Sequence, residues 1–361
     1  MHLVTAMNYI NAVQNIQILE WLDNYTADGA ITGLQRYGKM NNGTYEKIDN
    51  LDITLNGDQL YSITDKASPV VYNGAFDFKD NTVKVDGAKY QYDSNGNLVS
   101  DANKGIAKIE YDTMNHPRRI QFTNGNVTEF IYTSTGEKLR TIHRTAVNNI
   151  SVPIGSTLTL TTASTLSVDS TDYIGNFIFE NGKADKYLFN GGYCSFASTG
   201  LPIYHYYTQD HLGNNRAVIN ENGTLEQVTH YYPFGGIYGD TGINSSLQPY
   251  KYNGKELDRM HGLDWYDYGA RSYDPALGRF TAIDPLTEKY YKLNPYAYCG
   301  DNPVNAIDPD GMDVIITGPL ANKALEQIQA RVGKNITLSL DKNNYMCYSI
   351  TNKGHINSAA R

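Results

Sequence analysis

Cysteine is scarce in this chain of 361 residues, and its three copies, Cys194, Cys299 and Cys347, lie far apart in the sequence. None belongs to a Cys-x-x-Cys pair, so the sequence indicates neither a disulfide framework nor a structural zinc site. Long apolar runs are also lacking, and no stretch of eighteen apolar residues predicts a membrane span. The start of the chain has no basic stretch followed by an apolar run, so no secretory signal is visible.

Basic residues are fewer than acidic ones. Lysine and arginine number 30 against 38 aspartates and glutamates, which gives a formal net charge of −8 and makes nucleic acid an unfavoured partner. Motifs for zinc peptidase or phosphate-loop chemistry are absent. His205, His211, His230 and His261 stand among tyrosines without the spacing of metal ligands. We therefore expect no cofactor and no metal.

Tyrosine and glycine are abundant. The chain has 30 Tyr and 32 Gly but only 10 Phe and 2 Trp. Tyrosine suits half-buried strands, because its ring packs against a core while its hydroxyl stays in contact with water. Short aromatic runs that end in Gly, Asn, Asp or Pro are typical of antiparallel strands joined by tight turns. The composition predicts an all-β, turn-rich protein. Together with the Tyr-Gly period described next, it predicts about ten strands or more and at most one or two short helices before residue 312.

A repeat becomes visible after residue 90. Tyr92, Tyr111 and Tyr132 are 19 and then 21 residues apart, and turn-forming residues follow each of them. A period near twenty residues indicates a repeat architecture. Because a lone hairpin is marginally stable in water, stacking of such units is a physical requirement as well as a pattern. The third unit has Thr133 where the first two have Asp, and the Thr/Ser-rich stretch 146–172 fits either edge strands or a divergent repeat.

Residues 204–312 carry a series of short motifs in a fixed order. The motifs are Asp210-His211-Leu212-Gly213-Asn214, Tyr232-Pro233-Phe234-Gly235, Tyr252-Asn253-Gly254-Lys255-Glu256, Tyr266-Asp267-Tyr268-Gly269-Ala270-Arg271, Tyr273-Asp274-Pro275, Gly278-Arg279-Phe280, Asp284-Pro285, Asn302-Pro303 and Asp308-Pro309-Asp310-Gly311. One of them would be a weak signal, but nine in order over about a hundred residues are specific. The stretch resembles the core domain that closes RHS-repeat (YD-repeat) proteins of the polymorphic toxin type, and the chain resembles a C-terminal fragment of one.

This resemblance implies a YD-repeat β-sheet that winds as a spiral into a segment of hollow shell. It divides the chain into a YD-repeat β-sheet region (1–203), an RHS repeat-associated core domain (204–312) and the start of a variable C-terminal cargo region (313–361). We expect residues 264–311 of the core domain to cap the sheet with aromatic side chains packed inward. They are Trp265, Tyr266, Tyr268, Tyr273 and Phe280.

The last 49 residues change in character, which predicts a short α/β tail. Leu325, Ile328 and Val332 follow a helical spacing that Gly333 ends. A hairpin with its turn at 342–344 is predicted next. So few residues are too small a unit to fold independently.

The resemblance also implies a reaction. Related RHS shells release their cargo by an intramolecular aspartyl cleavage just after the Asp-Pro-x-Gly motif. By resemblance, Asp284 is one catalytic acid, Asp301 or Asp308 is the second, and Met312 precedes the cut; Arg279 is expected to hold a carboxylate. An aspartyl reaction needs two neighbouring carboxyl groups with separated pKa values. Aspartate before proline equally favours turns, so a purely structural interpretation stays open.

The function that the resemblance implies is a shell that encloses and presents a C-terminal effector. The implied partners are the chain's own cargo segment, an immunity protein and the secretion machinery, and the implied location is secreted or at the cell surface. A cell-surface adhesive or structural protein that binds glycans or other proteins through its Tyr-rich sheet is the alternative. A third hypothesis is an inert truncated remnant, since both ends of the chain look incomplete.

Overall fold

The computed structural model describes residues 20–350, except 41, 69, 71–75, 81–86, 244–245, 291–292, 318–320 and 333–335. Antiparallel strands that pair with their neighbours in the sequence dominate this part of the chain. The first sheet has four of them: β1 (Glu20–Tyr25), β2 (Ile31–Lys39), β3 (Tyr45–Asn56) and β4 (Gln59–Asp65).

The second sheet is a continuous antiparallel meander of fourteen strands in sequence order. It crosses position 203, so the proposed boundary between a repeat region and a core domain falls inside one sheet and stays a prediction. The strands are β5 (Tyr90–Tyr92), β6 (Leu98–Asp101), β7 (Ile106–Tyr111), β8 (Pro117–Phe122), β9 (Val127–Tyr132), β10 (Lys138–Ala146), β11 (Thr165–Ile174), β12 (Phe177–Glu180), β13 (Lys183–Phe189), β14 (Gly192–Phe196), β15 (Pro202–Gln209), β16 (Asn215–Asn220), β17 (Leu225–Tyr231) and β18 (Ile237–Ile243).

The aspartate of the repeat closes the hairpin turn. Asp93 Oδ1 accepts the backbone N–H groups of Asn95 and Asn97, both at 2.9 Å. Asp112 holds its own turn in the same way. In the third unit the hydroxyl of Thr133 accepts the N–H of Glu137 at 3.0 Å, so threonine supplies the same oxygen. Side-chain oxygens of Asp and Thr stabilise turns by such local bonds, which explains why the substitution is accepted.

The tyrosine of the repeat joins one hairpin to the previous one. Tyr111 donates its hydroxyl to the carbonyl of Leu98 at 2.7 Å, and Tyr132 donates to the carbonyl of Pro117 at 3.2 Å. A buried tyrosine needs such a partner for its hydroxyl. The tyrosine that defines the period of the sequence is therefore also the residue that binds each hairpin to the one before it.

The Thr/Ser-rich stretch divides into two parts. Residues 147–161 form no strand, whereas β11 pairs with β10 on one side and with β12 on the other. The edge-strand interpretation of this stretch is therefore wrong for β11, which is an interior strand. Both neighbouring strands supply the backbone hydrogen bonds that an interior strand needs.

Short elements follow the second sheet and pack as one aromatic core. Tyr268, Tyr273, Phe280 and Tyr298 are buried, and the ring centres of Tyr273 and Tyr298 are 4.4 Å apart. Trp265 and Tyr266 are buried as well, so the inward packing expected of all five core aromatics is confirmed. A third sheet contains β19 (Glu256–Asp258), β20 (Trp265–Asp267), β21 (Ser272–Asp274) and β22 (Arg279–Phe280).

Three buried tyrosines anchor this core to one tight turn. Their hydroxyl groups donate to consecutive carbonyls: Tyr252 to Pro233 at 2.8 Å, Tyr273 to Phe234 at 2.8 Å and Tyr266 to Gly235 at 3.0 Å. The Tyr-Pro-Phe-Gly motif is thus the site at which the second sheet meets the third.

The tail packs against the core through its first residues. The remaining elements are β23 (Ala306–Ile307), β24 (Ile315–Ile316), α1 (Ala321–Val332), β25 (Ile336–Leu340) and β26 (Met346–Ile350). β24 pairs antiparallel with β23, and Ala324, Ile328, Leu338 and Met346 belong to the same buried cluster as the core aromatics. The predicted helix and hairpin are confirmed, whereas Gly333 lies outside the described residues.

The strand-rich prediction is confirmed. Twenty-three strands precede residue 312, but the described ranges up to that point also contain five single 3-10 turns, more than the one or two short helices expected. The turns are Thr162–Ser164, Tyr252–Gly254, Met260–Gly262, Thr287–Tyr290 and Cys299–Asp301.

Candidate functional site

Arg271 is the centre of the candidate site. Its Nη2 donates to Asp284 Oδ2 at 3.1 Å and to Asp308 Oδ2 at 3.4 Å. Its Nε donates to the carbonyl of Gly311 at 2.5 Å, and its guanidinium lies 3.6 Å from the centre of the Phe280 ring. A planar guanidinium suits this arrangement because it has several fixed donors and a face that stacks on an aromatic ring. One side chain thus joins two of the expected aspartates to the Asp-Pro-Asp-Gly turn.

Asp308 closes the turn before Met312. Its Oδ1 accepts the backbone N–H groups of Asp310 at 3.2 Å, Gly311 at 2.6 Å and Met312 at 3.1 Å. Burial raises the pKa of Asp308 to about 6, against the opposing effects of Arg271 and of these N–H groups. Asp308 is therefore both a turn former and an acid that can exchange a proton near neutral pH.

Asp284 faces the same guanidinium from another loop. Its Oδ1 accepts the N–H of Leu286 at 2.7 Å, so it also has a turn-forming contact. Burial raises its pKa, and the charge of Arg271 opposes the rise. Since both carboxylates contact one nitrogen of Arg271, the structure brings Asp284 and Asp308 together.

Asp301 has different surroundings. It is buried in the 3-10 turn Cys299–Asp301 with φ of 58°, and its N–H donates to the carbonyl of Tyr298 at 3.0 Å. It lines a small cleft with Gly29, where a side chain would be crowded, because a Cβ at position 29 would lie 3.2 Å from Asp301 Oδ2. The hydrogen bonds described for Arg271 do not include Asp301.

Arg279 was expected to hold a carboxylate, but its contacts in the structure are with a backbone carbonyl and an aromatic ring. Its Nη2 donates to the backbone carbonyl of Asp58 at 2.8 Å, and its guanidinium lies 4.7 Å from the ring centre of Tyr296. Arg271 makes the contacts with carboxylates that were expected of Arg279. The Tyr-Asp-Tyr-Gly-Ala-Arg motif contained the necessary signal, because it places an arginine directly before β21 of the core.

The peptide after Met312 has a second acid beside it. Asp310 Oδ1 accepts the N–H of Met312 at 3.0 Å and that of Asp313 at 3.1 Å. Sequence reasoning passed over Asp310 as part of a turn motif. Gly311 has a φ of 81°, and a Cβ there would lie 3.0 Å from the backbone nitrogen of Arg271. Glycine is required at this point for both reasons.

Other kinds of site find no support in the described ranges. No group of three His, Cys, Asp or Glu residues is placed there to hold a metal ion. None of the helices described is long and apolar enough to cross a membrane.

Comparison with known proteins identifies relatives. The family model of the teneurin YD-shell matches residues 202–304. Salivary gland surface protein 1 of Aedes aegypti is 30% identical over 246 residues, which are 61% of this chain and 6% of that protein. The tRNA nuclease WapA of Bacillus subtilis strain 168 is 27% identical over 308 residues, 76% of this chain and 12% of that protein. Toxin subunit YenC2 of Yersinia entomophaga is 35% identical over 97 residues, 26% of this chain and 10% of that protein.

A crystal structure of TcdB2-TccC3-TEV aligns with 82% of this chain and 18% of its own, at 16% identity and a TM-score of 0.47. The chain spans between 6% and 12% of the length of the three relatives named above. The YD-shell match covers most of the region that holds the ordered motifs, and proteins of the RHS toxin type are among the relatives. The chain is an RHS/YD-repeat protein.

Proposed function

We propose that this chain is a shell protein that encloses and presents its C-terminal segment and cuts itself after Met312. The observation that carries the proposal is the contact of Arg271 with Asp284, Asp308 and the carbonyl of Gly311. It gathers two acids of raised pKa around the turn that ends at Met312. The division into repeat region, core domain and cargo region belongs to the same proposal.

The reaction needs one carboxylate and one carboxylic acid. The carboxylate accepts a proton from water as the water oxygen bonds to the carbonyl carbon of Met312. The bond to the nitrogen of Asp313 then breaks, and the acid donates its proton to the departing amine. Asp284 and Asp308 supply these two groups. Asp301 remains the alternative second acid.

The released segment is expected to stay attached without a covalent bond. β24 pairs with β23 across the proposed cut, and the N–H of Thr317 donates to the carbonyl of Asn305 at 2.7 Å. The start of the cargo thus forms a two-stranded sheet with the core, and this pairing supports the proposal that the shell holds its cargo. A test of cleavage has to separate the fragments under denaturing conditions.

Mass spectrometry of the purified, denatured chain tests the proposal. The wild type is expected to give a 49-residue fragment, residues 313–361. Asp284→Asn and Asp308→Asn are expected to stay intact, whereas the control Asp172→Asn, on an exposed ion pair with Arg140, should cut normally. An intact wild type, or cutting that persists in Asp284→Asn, would contradict the mechanism. Asp301→Asn decides between the two candidates for the second acid.

An adhesive function has one observation in its favour. The strands β12–β15 carry neighbouring aromatic rings, and Phe177, Tyr204 and Tyr206 are exposed. The ring centres of Phe189 and Tyr206 are 6.0 Å apart. Exposed aromatic clusters mark interaction sites, and flat rings suit sugar faces. A glycan array compared between the wild type and Tyr204→Ser/Tyr206→Ser tests it: sugar binding by the wild type that the double variant loses would support adhesion.

The proposed shell acts outside the cell that makes it. Export and presentation of a cargo imply a secretion machinery, and a harmful cargo implies an immunity protein. These partners rest on the family relationship, and their test is co-purification with the chain from its own host.

A further inference from the structure

A cavity of about 420 Å³ separates the second sheet from the segment 256–269. One wall is the sheet face that carries Thr141, His143 and Asp169, and the other includes Asp258 and Trp265. The volume is in the range of sites that hold small organic molecules. The cavity is separate from Arg271 and the Asp-Pro-Asp-Gly turn, and its use does not depend on cleavage after Met312.

Acidic side chains outnumber basic ones in the walls. The five acidic residues are Asp169, Glu180, Glu256, Asp258 and Asp267, against Lys138 and Arg259. Both basic residues already have partners: Lys138 Nζ lies 2.7 Å from Glu256 Oε2 and 2.5 Å from Asp267 Oδ2, and Arg259 binds Asp264 at 3.0 Å. The cavity therefore has a surplus of negative charge.

Asp258 has an oxygen without a hydrogen-bond donor in the described part of the chain. Its Oδ1 accepts the N–H of Met260 at 2.9 Å, whereas Oδ2 is buried and has no such partner. The side chain as a whole is 21% exposed. His143 Nε2 lies 3.7 Å from Oδ2, which is too long for a hydrogen bond. A buried carboxylate oxygen in this state is costly unless a donor binds it.

His143 is also not a cationic partner for Asp258. Its Nδ1 lies 3.0 Å from the hydroxyl of Thr128, and its ring is in edge contact with His261. Burial and the neighbouring His261 lower the pKa of His143 to about 4, so the imidazole is neutral at physiological pH. No cation among the described residues forms an ion pair with Asp258, and the cavity leaves room for one.

We propose that this cavity binds a small organic cation whose charged group is the counter-ion of Asp258. A guanidinium or alkylammonium group supplies the missing donor. Aromatic rings line the rest of the space, among them Phe130, Tyr173 and Trp265. Such rings attract organic cations through their faces and accommodate an alkyl chain. A metal ion fits less well, because the described residues offer no set of three ligands here.

Binding should strengthen as the pH rises through about 7. Burial raises the pKa of Asp258 to about that value; Glu256 and Asp264 add to the rise, and Lys138 opposes it. The other ionisable groups near Asp258 are His143 and His261, both with lowered pKa values, and across the cavity Asp169 and Glu180. Only the deprotonated Asp258 accepts a bond at both oxygens, so a cation competes with a proton for this site.

Calorimetry with butylguanidinium tests the proposal, with butylurea as an uncharged ligand of nearly the same shape. At pH 8 we expect butylguanidinium to bind the wild type at least tenfold more tightly than butylurea does. Asp258→Asn should reduce that affinity at least tenfold, and it should fold, since it removes a buried charge. Asp172→Asn removes an equal charge from β11 away from the cavity and should change the affinity less than twofold.

Three results would overturn the proposal. They are no binding of butylguanidinium to the wild type, equal binding of butylurea, and equal affinity in Asp258→Asn. A raised melting temperature of Asp258→Asn without ligand shows that this variant is folded, so its loss of binding then supports the site. Failure of cleavage after Met312 would leave the result unchanged, which separates this inference from the proposed function.

Discussion

Arg271 and Asp284 are 13 residues apart in the sequence, and Arg271 Nη2 donates to Asp284 Oδ2 at 3.1 Å in the buried core. The same guanidinium contacts Asp308 and the carbonyls of Pro295 and Gly311. This one side chain therefore joins three other segments of the chain. A lysine has neither the fixed fork nor the flat face that these contacts use.

Arg271→Lys is expected to lower the free energy of unfolding by about 1–3 kcal/mol, because one ammonium group cannot replace all the hydrogen bonds of the guanidinium and leaves buried acceptors unsatisfied. Urea denaturation measures the loss. Arg118→Lys is the control, since Arg118 pairs with Glu110 at 3.0 Å and its side chain is 58% exposed. Exposed pairs contribute about 0–1 kcal/mol. Similar losses in both variants would mean that Arg271 does not join these segments.

Lys251→Met is expected to stabilise the protein below pH 7. Lys251 is 2% exposed, and its Nζ has no hydrogen-bond partner among the residues that the structure describes. Burial lowers its pKa to about 7. Folding a charged lysine into this place is costly, by about 1–3 kcal/mol or more for an unsatisfied buried group.

The sign of the pH effect follows from the lowered pKa of Lys251. Between about pH 7 and the ordinary lysine range the unfolded chain binds a proton that the folded chain lacks, so stability rises with pH. The gain from Lys251→Met should therefore be largest near pH 6 and smaller near pH 9. Thermal melts at both pH values measure it. A gain that does not change with pH would show that Lys251 is neutral or paired in solution.

Lys255→Met, in the motif that follows Lys251, should act in the opposite direction and destabilise the protein. Lys255 Nζ donates to the carbonyl of Pro309 at 2.5 Å, and its removal leaves that carbonyl without this donor. A loss of about 1–3 kcal/mol is expected. Thermal melts beside those of Lys251→Met check it, and stabilisation by both substitutions would contradict the assigned contacts.

Gly235→Ala is expected to destabilise the junction between the second and third sheets. Gly235 has a φ of 89°, and a Cβ there would lie 2.7 Å from the ring of Tyr252. Gly223 has a φ of 80° with open space around it. Gly223→Ala should lower the free energy of unfolding by about 1–2 kcal/mol, because alanine disfavours the left-handed backbone. Gly235→Ala should lower it by about 1–3 kcal/mol more, because the added Cβ also overlaps the Tyr252 ring. Equal costs in urea denaturation would show that Tyr252 moves aside freely.

Phe280→Ala is expected to lower the free energy of unfolding by about 3–5 kcal/mol, because the ring is buried among Tyr268, Tyr273 and Tyr298. The control Phe177→Ala removes a ring that is 41% exposed and packs mainly on Tyr187. A ring pair of that kind contributes about 0.5–1.5 kcal/mol. If chemical denaturation gives Phe280→Ala the smaller loss, the aromatic core does not hold the third sheet in place.

Local chemistry could be predicted from the sequence. The Tyr period predicted stacked hairpins, and the aspartate after Tyr92 or Tyr111 closes its turn through bonds that span four residues or fewer. The helix and hairpin of the tail are local in the same sense, because side-chain spacing determines the face that can be buried. The inward packing of the aromatic residues near Trp265 followed from their size and apolar area.

Only the tertiary structure decided which charged groups meet. Arg271 and Arg279 both stand in family motifs, and nothing in their spacing shows that Arg271 reaches Asp308, 37 residues away, while Arg279 binds the carbonyl of Asp58. The cavity beside Asp258 is formed by strands more than a hundred residues apart in sequence. Turns and strands arise from bonds within a few residues, whereas pairing of buried charges depends on which distant segments exclude water together.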